Sequence, residues 1–223
     1  MSRRSIHALV ALTMAGAACS ASATNLITNG GFEAPAVPAG GYTIYGAGGD
    51  IGGWTVTGSS VLTLATDYAE PGVTFPAHSG LVSLDITGAG NTGNGGVQQS
   101  LTLAVGAQYR LSFWLANTDG GGNVNYPVDS SVRVSITGVA DTIFTDGDTT
   151  LTGTSNWKQG SIDFTATSAS TVIGFVNNTA FADNAALLDD IALVQLPAVP
   201  EPGTWAMLVA GLGLLAAATR RQR

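Results

Sequence analysis

Apolar and polar residues alternate along much of this chain with a period of two. In Tyr109-Arg110-Leu111-Ser112-Phe113-Trp114-Leu115 the odd positions are all apolar, so an extended strand there buries one face. Comparable short runs occur at Gly80 to Ile86, Gly96 to Leu103, Ser131 to Ile136, Lys158 to Phe164 and Thr171 to Val176, separated by clusters of Gly, Asn, Asp and Thr that favour turns. Between residues 24 and 199 no segment sustains a 3.6-residue period over three turns. The chain's 30 glycines, lacking any collagen-like repeat, also argue against a helical protein. Together these elements predict an all-β fold, an antiparallel jelly-roll β-sandwich.

The two ends depart from this pattern. Arg3 and Arg4, the apolar stretch Ala8 to Ala18 and the small residues Ala21-Ser22-Ala23 have the layout of a secretory signal peptide over residues 1–23. Residues 24–196 are then the sandwich domain, and residues 197–223 a separate tail. In that tail Pro200-Glu201-Pro202-Gly203-Thr204-Trp205 leads into an uncharged run to Thr219, followed by Arg220-Arg221-Gln222-Arg223. At about 1.5 Å per helical residue the run from Trp205 to Thr219 spans about 22 Å. A stable bilayer-spanning helix needs roughly 20 apolar residues, so the tail is a marginal span. Trp205 suits one membrane interface and the arginines the cytoplasmic side. Pro200 and Pro202 stop the helix upstream and leave Glu201 extended and accessible. On physics alone, a plain C-terminal membrane anchor is the competing reading.

Composition narrows the chemistry. The single cysteine, Cys19, lies in the signal peptide, with Gly16 where a lipidation site has a Leu-like residue, so the mature chain has no disulfide. From residue 24 to 199, Arg110, Arg133 and Lys158 face fourteen acids, a net charge of −11. So acidic a domain does not bind nucleic acid or anionic lipid through bulk electrostatics, which leaves cations and neutral polymers as partners. His78 is the only histidine in that region, which argues against zinc and multi-histidine chemistry. A Ser-His-Asp triad on His78 has no GxSxG context, and no acid pair stands out for glycoside hydrolysis, so no catalytic residue is assigned. Asp146-Gly147-Asp148 reads as a turn and Asn117 to Asn123 as a loop.

Exposed aromatic rings beside Asp, Asn and Gln are the surfaces that hold sugars. Trp114 points away from the apolar side of its strand, Trp157 follows a turn, and Tyr126 sits beside Asn125 in a polar loop. These three are the candidate glycan-binding residues, whereas Trp54, in Gly52-Gly53-Trp54-Thr55-Val56, reads as a core tryptophan.

Two resemblances extend this reading. Pro200, Glu201, Pro202, Trp205, the short hydrophobic helix and Arg220, Arg221 and Arg223 resemble the PEP-CTERM sorting signal of Gram-negative bacteria. That resemblance implies processing by exosortase, transient membrane insertion through the C-terminal helix, and delivery to the cell envelope, cell surface or extracellular matrix. Asn25-Leu26-Ile27-Thr28-Asn29-Gly30-Gly31-Phe32-Glu33, Gly53-Trp54-Thr55-Val56, Gly80 to Ile86 and Leu187-Leu188-Asp189-Asp190-Ile191-Ala192-Leu193 together resemble the galactose-binding-like β-sandwich domains. The nearest likeness is to the choice-of-anchor C family and to the domain of unknown function 642 proteins of plant cell walls. Such folds lay the opening and closing strands side by side and often hold a structural calcium where they meet. The resemblance thus implies Glu33, Asp189 and Asp190 as calcium ligands. Alternation with Ile191 and Leu193 would place Asp189 on the core side, where a cation would relieve its buried charge. The function expected is a non-catalytic, exosortase-processed surface or matrix protein, structural or adhesive and associated with exopolysaccharide in a biofilm. The alternatives are a carbohydrate-binding module with a specific glycan ligand and, third, a hydrolase.

Overall fold

The computed structural model describes residues 24–90, 95–118, 129–147, 153–179, 185–197 and 202–221. In chain order the elements are β1 (Tyr42–Gly46), β2 (Asp50–Ile51), β3 (Trp54–Gly58), β4 (Ser60–Ala65), β5 (Ala69–Glu70), β6 (Val73–Thr74), β7 (Val82–Asp85), β8 (Gly95–Thr102), β9 (Gln108–Thr118), β10 (Ser131–Ile136), β11 (Val139–Thr145), β12 (Ser155–Thr165), β13 (Ser170–Asn177), β14 (Ala186–Gln195) and α1 (Pro202–Arg221). A front sheet runs β1-β4-β7-β14-β9-β12 and a back sheet β11-β10-β13-β8-β3-β2, with β5 and β6 as a small separate hairpin. The described pairings are antiparallel. The architecture is the all-β sandwich that alternation predicts.

Strand β9 shows how the pattern becomes structure. Tyr109, Leu111, Phe113 and Leu115 are no more than 2% exposed, and they meet the inward residues of the back sheet. Phe113 packs edge-on against Phe175 at 5.1 Å, Phe175 against Trp54 at 6.1 Å, and Trp54 against Phe32 at 5.7 Å. Each such ring, once buried, stabilises the fold by about 1.5–3 kcal/mol before entropy is charged against it. Trp54 is a core residue as its sequence context indicates, and its indole N–H donates to the Asn29 carbonyl at 3.0 Å.

The opening segment lies beside the last strand. Leu26 N–H donates to Leu193 O at 2.8 Å, Ile191 N–H to Gly30 O at 2.9 Å, and Leu193 N–H to the Asn25 side-chain oxygen at 2.9 Å. Gly30 permits this approach, because a Cβ there would run into the Ile191 carbonyl.

The two outer faces differ in character. The back sheet shows solvent Thr55, Thr57, Gln98, Ser100, Arg133 and Ser135 together with part of Val172 and Val176. The front sheet's outward positions are Leu62, Leu64, Ser83, Asp85, Leu187, Asp189, Trp114, Ala116 and Trp157, by register. Residues 66–81, including β5 and β6, fold across part of this face. Val73 and Phe75 bury Leu64, Ala116 and Leu187 in a second apolar cluster, with Tyr68 and Trp157 at its margin.

Helix α1 begins at Pro202, where the first turn needs no N–H, and its last turn holds Arg220 and Arg221. Met207, Val209, Leu212, Leu214 and Leu215 are exposed. Among the described residues no helix is long and apolar enough to cross a membrane.

Candidate functional site

The front sheet brings Trp114 and Trp157 onto one face. Trp114 on β9 pairs with Gln159 on β12, and Trp157 pairs with Ala116, so the two indoles are diagonal neighbours pointing outward. Both are half-buried. Trp157 N–H donates to the Pro76 carbonyl at 3.1 Å. Between the two rings lies His78, stacked on Trp114 at 3.8 Å with an 18° tilt and edge-on to Trp157 at 5.8 Å. Tyr126, the third expected platform, lies outside the described residues.

Below this aromatic group sit the three acids expected to bind calcium. The structure brings them together against residues 78–82, at the end of the segment that carries His78, but it corrects the reasoning about Asp189. Ile191 and Leu193 do point into the core, yet Asp189 pairs with Trp114 and faces outward. A bulge between Asp189 and Ala192, with Asp190 at φ 48°, breaks the alternation that would have put it inside. Asp189 is nevertheless 0% exposed, because residues 76–81 cover it.

Its charge is met by backbone donors. His78 N–H and Ser79 N–H donate to Asp189 Oδ2 at 2.9 and 3.1 Å, and Asp190 N–H to Oδ1 at 2.7 Å. Burial pushes the Asp189 carboxyl up to about 7, against the pull of these three donors. Asp190 accepts from His78 Nδ1 at 2.6 Å and from the Ser79 hydroxyl at 2.7 Å. Glu33 Oε1 accepts from Leu81 N–H and Val82 N–H at 2.8 and 3.1 Å. Nearby, burial raises Asp85 to about 6, although the Thr87 hydroxyl and N–H both donate to it.

This donor set does not fit a calcium ion. Calcium requires six to eight oxygens directed at one point, whereas five of these six carboxylate oxygens already accept N–H or O–H donors. Among the described residues no group of three or more His, Cys, Asp or Glu side chains is arranged to hold a metal. The acids serve instead as clamps that fix residues 76–82 onto the sheet. The Ser79 hydroxyl beside His78 turns to Asp190 and not to the imidazole.

Polar groups flank the aromatic face. Arg110 grips Asp163 with two bonds of 2.7 and 2.6 Å at the far end of β9 and β12, which holds the Asp163 carboxyl below its usual range. Gln159 is exposed beside Trp114. On the other side of the clamps, a groove of about 290 Å³ is lined by Glu33, Val37, Thr66, Asp67, Leu81 and Val82 among others, none of them aromatic. It offers carboxylates but no ring for stacking.

Comparison with known proteins gives the sandwich a family. The profile of the Carbohydrate binding domain family (CBM_4_9) matches residues 24–179. The chain belongs to that family. A second profile, the PEP-CTERM protein-sorting motif, matches residues 198–223, which marks this carbohydrate-binding domain as exported, sorted to the cell surface and subject to exosortase processing. No curated protein matches the chain. Solved structures similar to this carbohydrate-binding domain include TmCBM61 in complex with β-1,4-galactotriose, 18% identical over 78% of this chain and 99% of that one, TM-score 0.43. Others are the CBM22-1 xylan-binding domain from Paenibacillus barcinonensis Xyn10C, 19% identical over 80% and 98%, TM-score 0.48, and a CBM4 module, 16% identical over 76% and 99%, TM-score 0.39. The matched family is the broader carbohydrate-binding one, and the narrower likeness to choice-of-anchor C and domain of unknown function 642 proteins is not among these findings. Glycan binding is accordingly better supported than a purely structural or adhesive role.

The sequence drew attention to Trp114 and Trp157 through alternation and turn context. It missed His78 as their companion, weighing it only as a lone catalytic histidine. Its partners Asp189 and Asp190 lie 111 and 112 residues downstream, and no local pattern joins them.

Proposed function

We propose that this protein is a non-catalytic polysaccharide-binding module carried to the cell surface or extracellular matrix, where it attaches to neutral exopolysaccharide. The observation that carries this reading is the aromatic face of the front sheet. Trp114 and Trp157 stand side by side on a strand surface that ordinarily carries polar residues, as the back sheet does. Indole faces accept the C–H side of a pyranose, while Gln159, Ser112 and the Arg110–Asp163 pair supply hydrogen bonds at the rim. The net charge of −11 between residues 24 and 199 disfavours polymers rich in uronic acids. The exosortase route supports a place in the exopolysaccharide of a biofilm.

Affinity electrophoresis of the protein through gels containing xylan, β-1,4-galactan, mixed-linkage β-glucan or alginate tests the proposal. Retardation by at least one neutral polymer, and little by alginate, is the expected result. Equal mobility in all four gels and in a blank gel would contradict it.

A further inference from the structure

We propose that His78 is itself a glycan-contacting residue, its Nε2 accepting a hydrogen bond from a hydroxyl of a neutral pyranose seated against Trp157. This inference rests on the glycan-binding reading above and assigns that face its hydrogen-bonding centre.

Three facts support it. The first is the tautomer. His78 Nδ1 lies 2.6 Å from Asp190 Oδ2, and the other Asp190 oxygen accepts the Ser79 hydroxyl at 2.7 Å. With Asp190 as the acceptor at this short contact Nδ1 carries a hydrogen, and in the singly protonated ring Nε2 is then the free acceptor. The second is orientation. Stacking on Trp114 at 3.8 Å and the edge contact with Trp157 fix the plane of the ring. The backbone beneath it is tied to Asp189 at two successive N–H groups, and the following turn is tied to Glu33. A group held this firmly loses little further freedom when it binds. The third is access. The side chain is 27% exposed, and Nε2 has no hydrogen bond among the described residues. A partly exposed polar ring thus lies beside an indole, the pair of features that distinguishes a hydroxyl-bearing ring from a plain apolar surface.

A histidine that only locks the loop would show the same contacts, so the test needs readouts that locking alone does not move. The full chain is compared with His78→Ala, His78→Gln and Asp190→Asn for binding to soluble xylan, β-1,4-galactan and mixed-linkage β-glucan, with thermal melts alongside. Imidazole ¹⁵N spectra are recorded with and without each polymer. For any polymer the wild type binds, His78→Ala is expected to weaken binding about tenfold or more. His78→Gln, whose amide oxygen reaches toward the Nε2 position, should recover part of that loss. The spectra should show Nε2 unprotonated, and its signal should shift on adding the polymer. If His78→Ala does not fold, the glutamine variant and the Nε2 shift decide the question. Binding by His78→Ala equal to wild type would overturn the proposal. So would tighter binding, which would mean that the ring merely covers Trp114, or an Nε2 signal that ignores a bound polymer. In each of these cases the glycan-binding reading itself survives. If the wild type binds none of the three polymers, that reading fails first and the role of His78 falls with it.

Discussion

Asp189 and Asp85 are acids placed where water cannot reach them, and their protonation should be visible in the stability of the whole domain. Both carboxyls are raised by burial, to about 7 and about 6, from an ordinary value of 3.8. In this range the folded chain holds more protons than the unfolded one, so stability rises as pH falls through 7 and is smallest above it. Asp163 is shifted the other way by Arg110, but its effect lies below its ordinary range and outside this window. A higher Tm at pH 5 than at pH 8 is therefore expected, with a shallower slope in Asp85→Asn. A Tm that drops between pH 8 and pH 5 would contradict the assignment. Because three backbone N–H groups already answer the Asp189 charge, EDTA should leave the Tm unmoved. A fall of several degrees that added calcium reverses would show that the clamp is a metal site after all. At this scale the sequence singles out Asp189 but places it on the core side, and it gives no sign of Asp85. Periodicity alone does not reveal the bulge at Asp190, which turns on a single left-handed residue.

Elements were more legible than residues. Strands β7, β8, β9, β10, β12 and β13 fall where alternating or compact apolar runs predict them, and β14 contains the closing motif. Strand β4 was not read as a strand, and the cause is physical. Val61 faces the core while Leu62 and Leu64 face residues 66–81, so both sides are apolar and no alternation survives. The covering segment was equally hidden, because its contacts with β9 and β14 are distant in sequence. The pairing of the first and last segments follows the resemblance, and it depends on Gly30. Gly30→Ala would force a methyl into the Ile191 carbonyl, a backbone atom with no easy retreat. Overpacking of this kind costs about 1–3 kcal/mol. Denaturant melts should show a loss of that size, whereas an unchanged midpoint would mean that the opening segment is not seated on β14 as described.

At the scale of the molecule, two parts of the chain do separate work. The tail carries an address whose chemistry belongs to exosortase, and the acidic sandwich carries the face proposed here to hold glycan. Composition argues against nucleic-acid binding through bulk electrostatics and against multi-histidine metal chemistry. The position of the proposed face is only half legible in the sequence. Two of its rings came from alternation and turns, while the histidine between them required the tertiary fold. The most direct test of the central claim is the dissociation constant for the best-retained neutral polysaccharide, measured for wild type, Trp157→Ala and Trp114→Ala with their melts recorded in parallel. Loss of one stacking ring, at about 0.5–1.5 kcal/mol beyond its area, together with its lost apolar contact predicts at least a tenfold weakening in Trp157→Ala, and Trp114→Ala, which removes the ring on which His78 is stacked, should weaken binding as well. Wild-type affinity in both folded variants would show that the outer face of the front sheet is not where this protein holds its glycan.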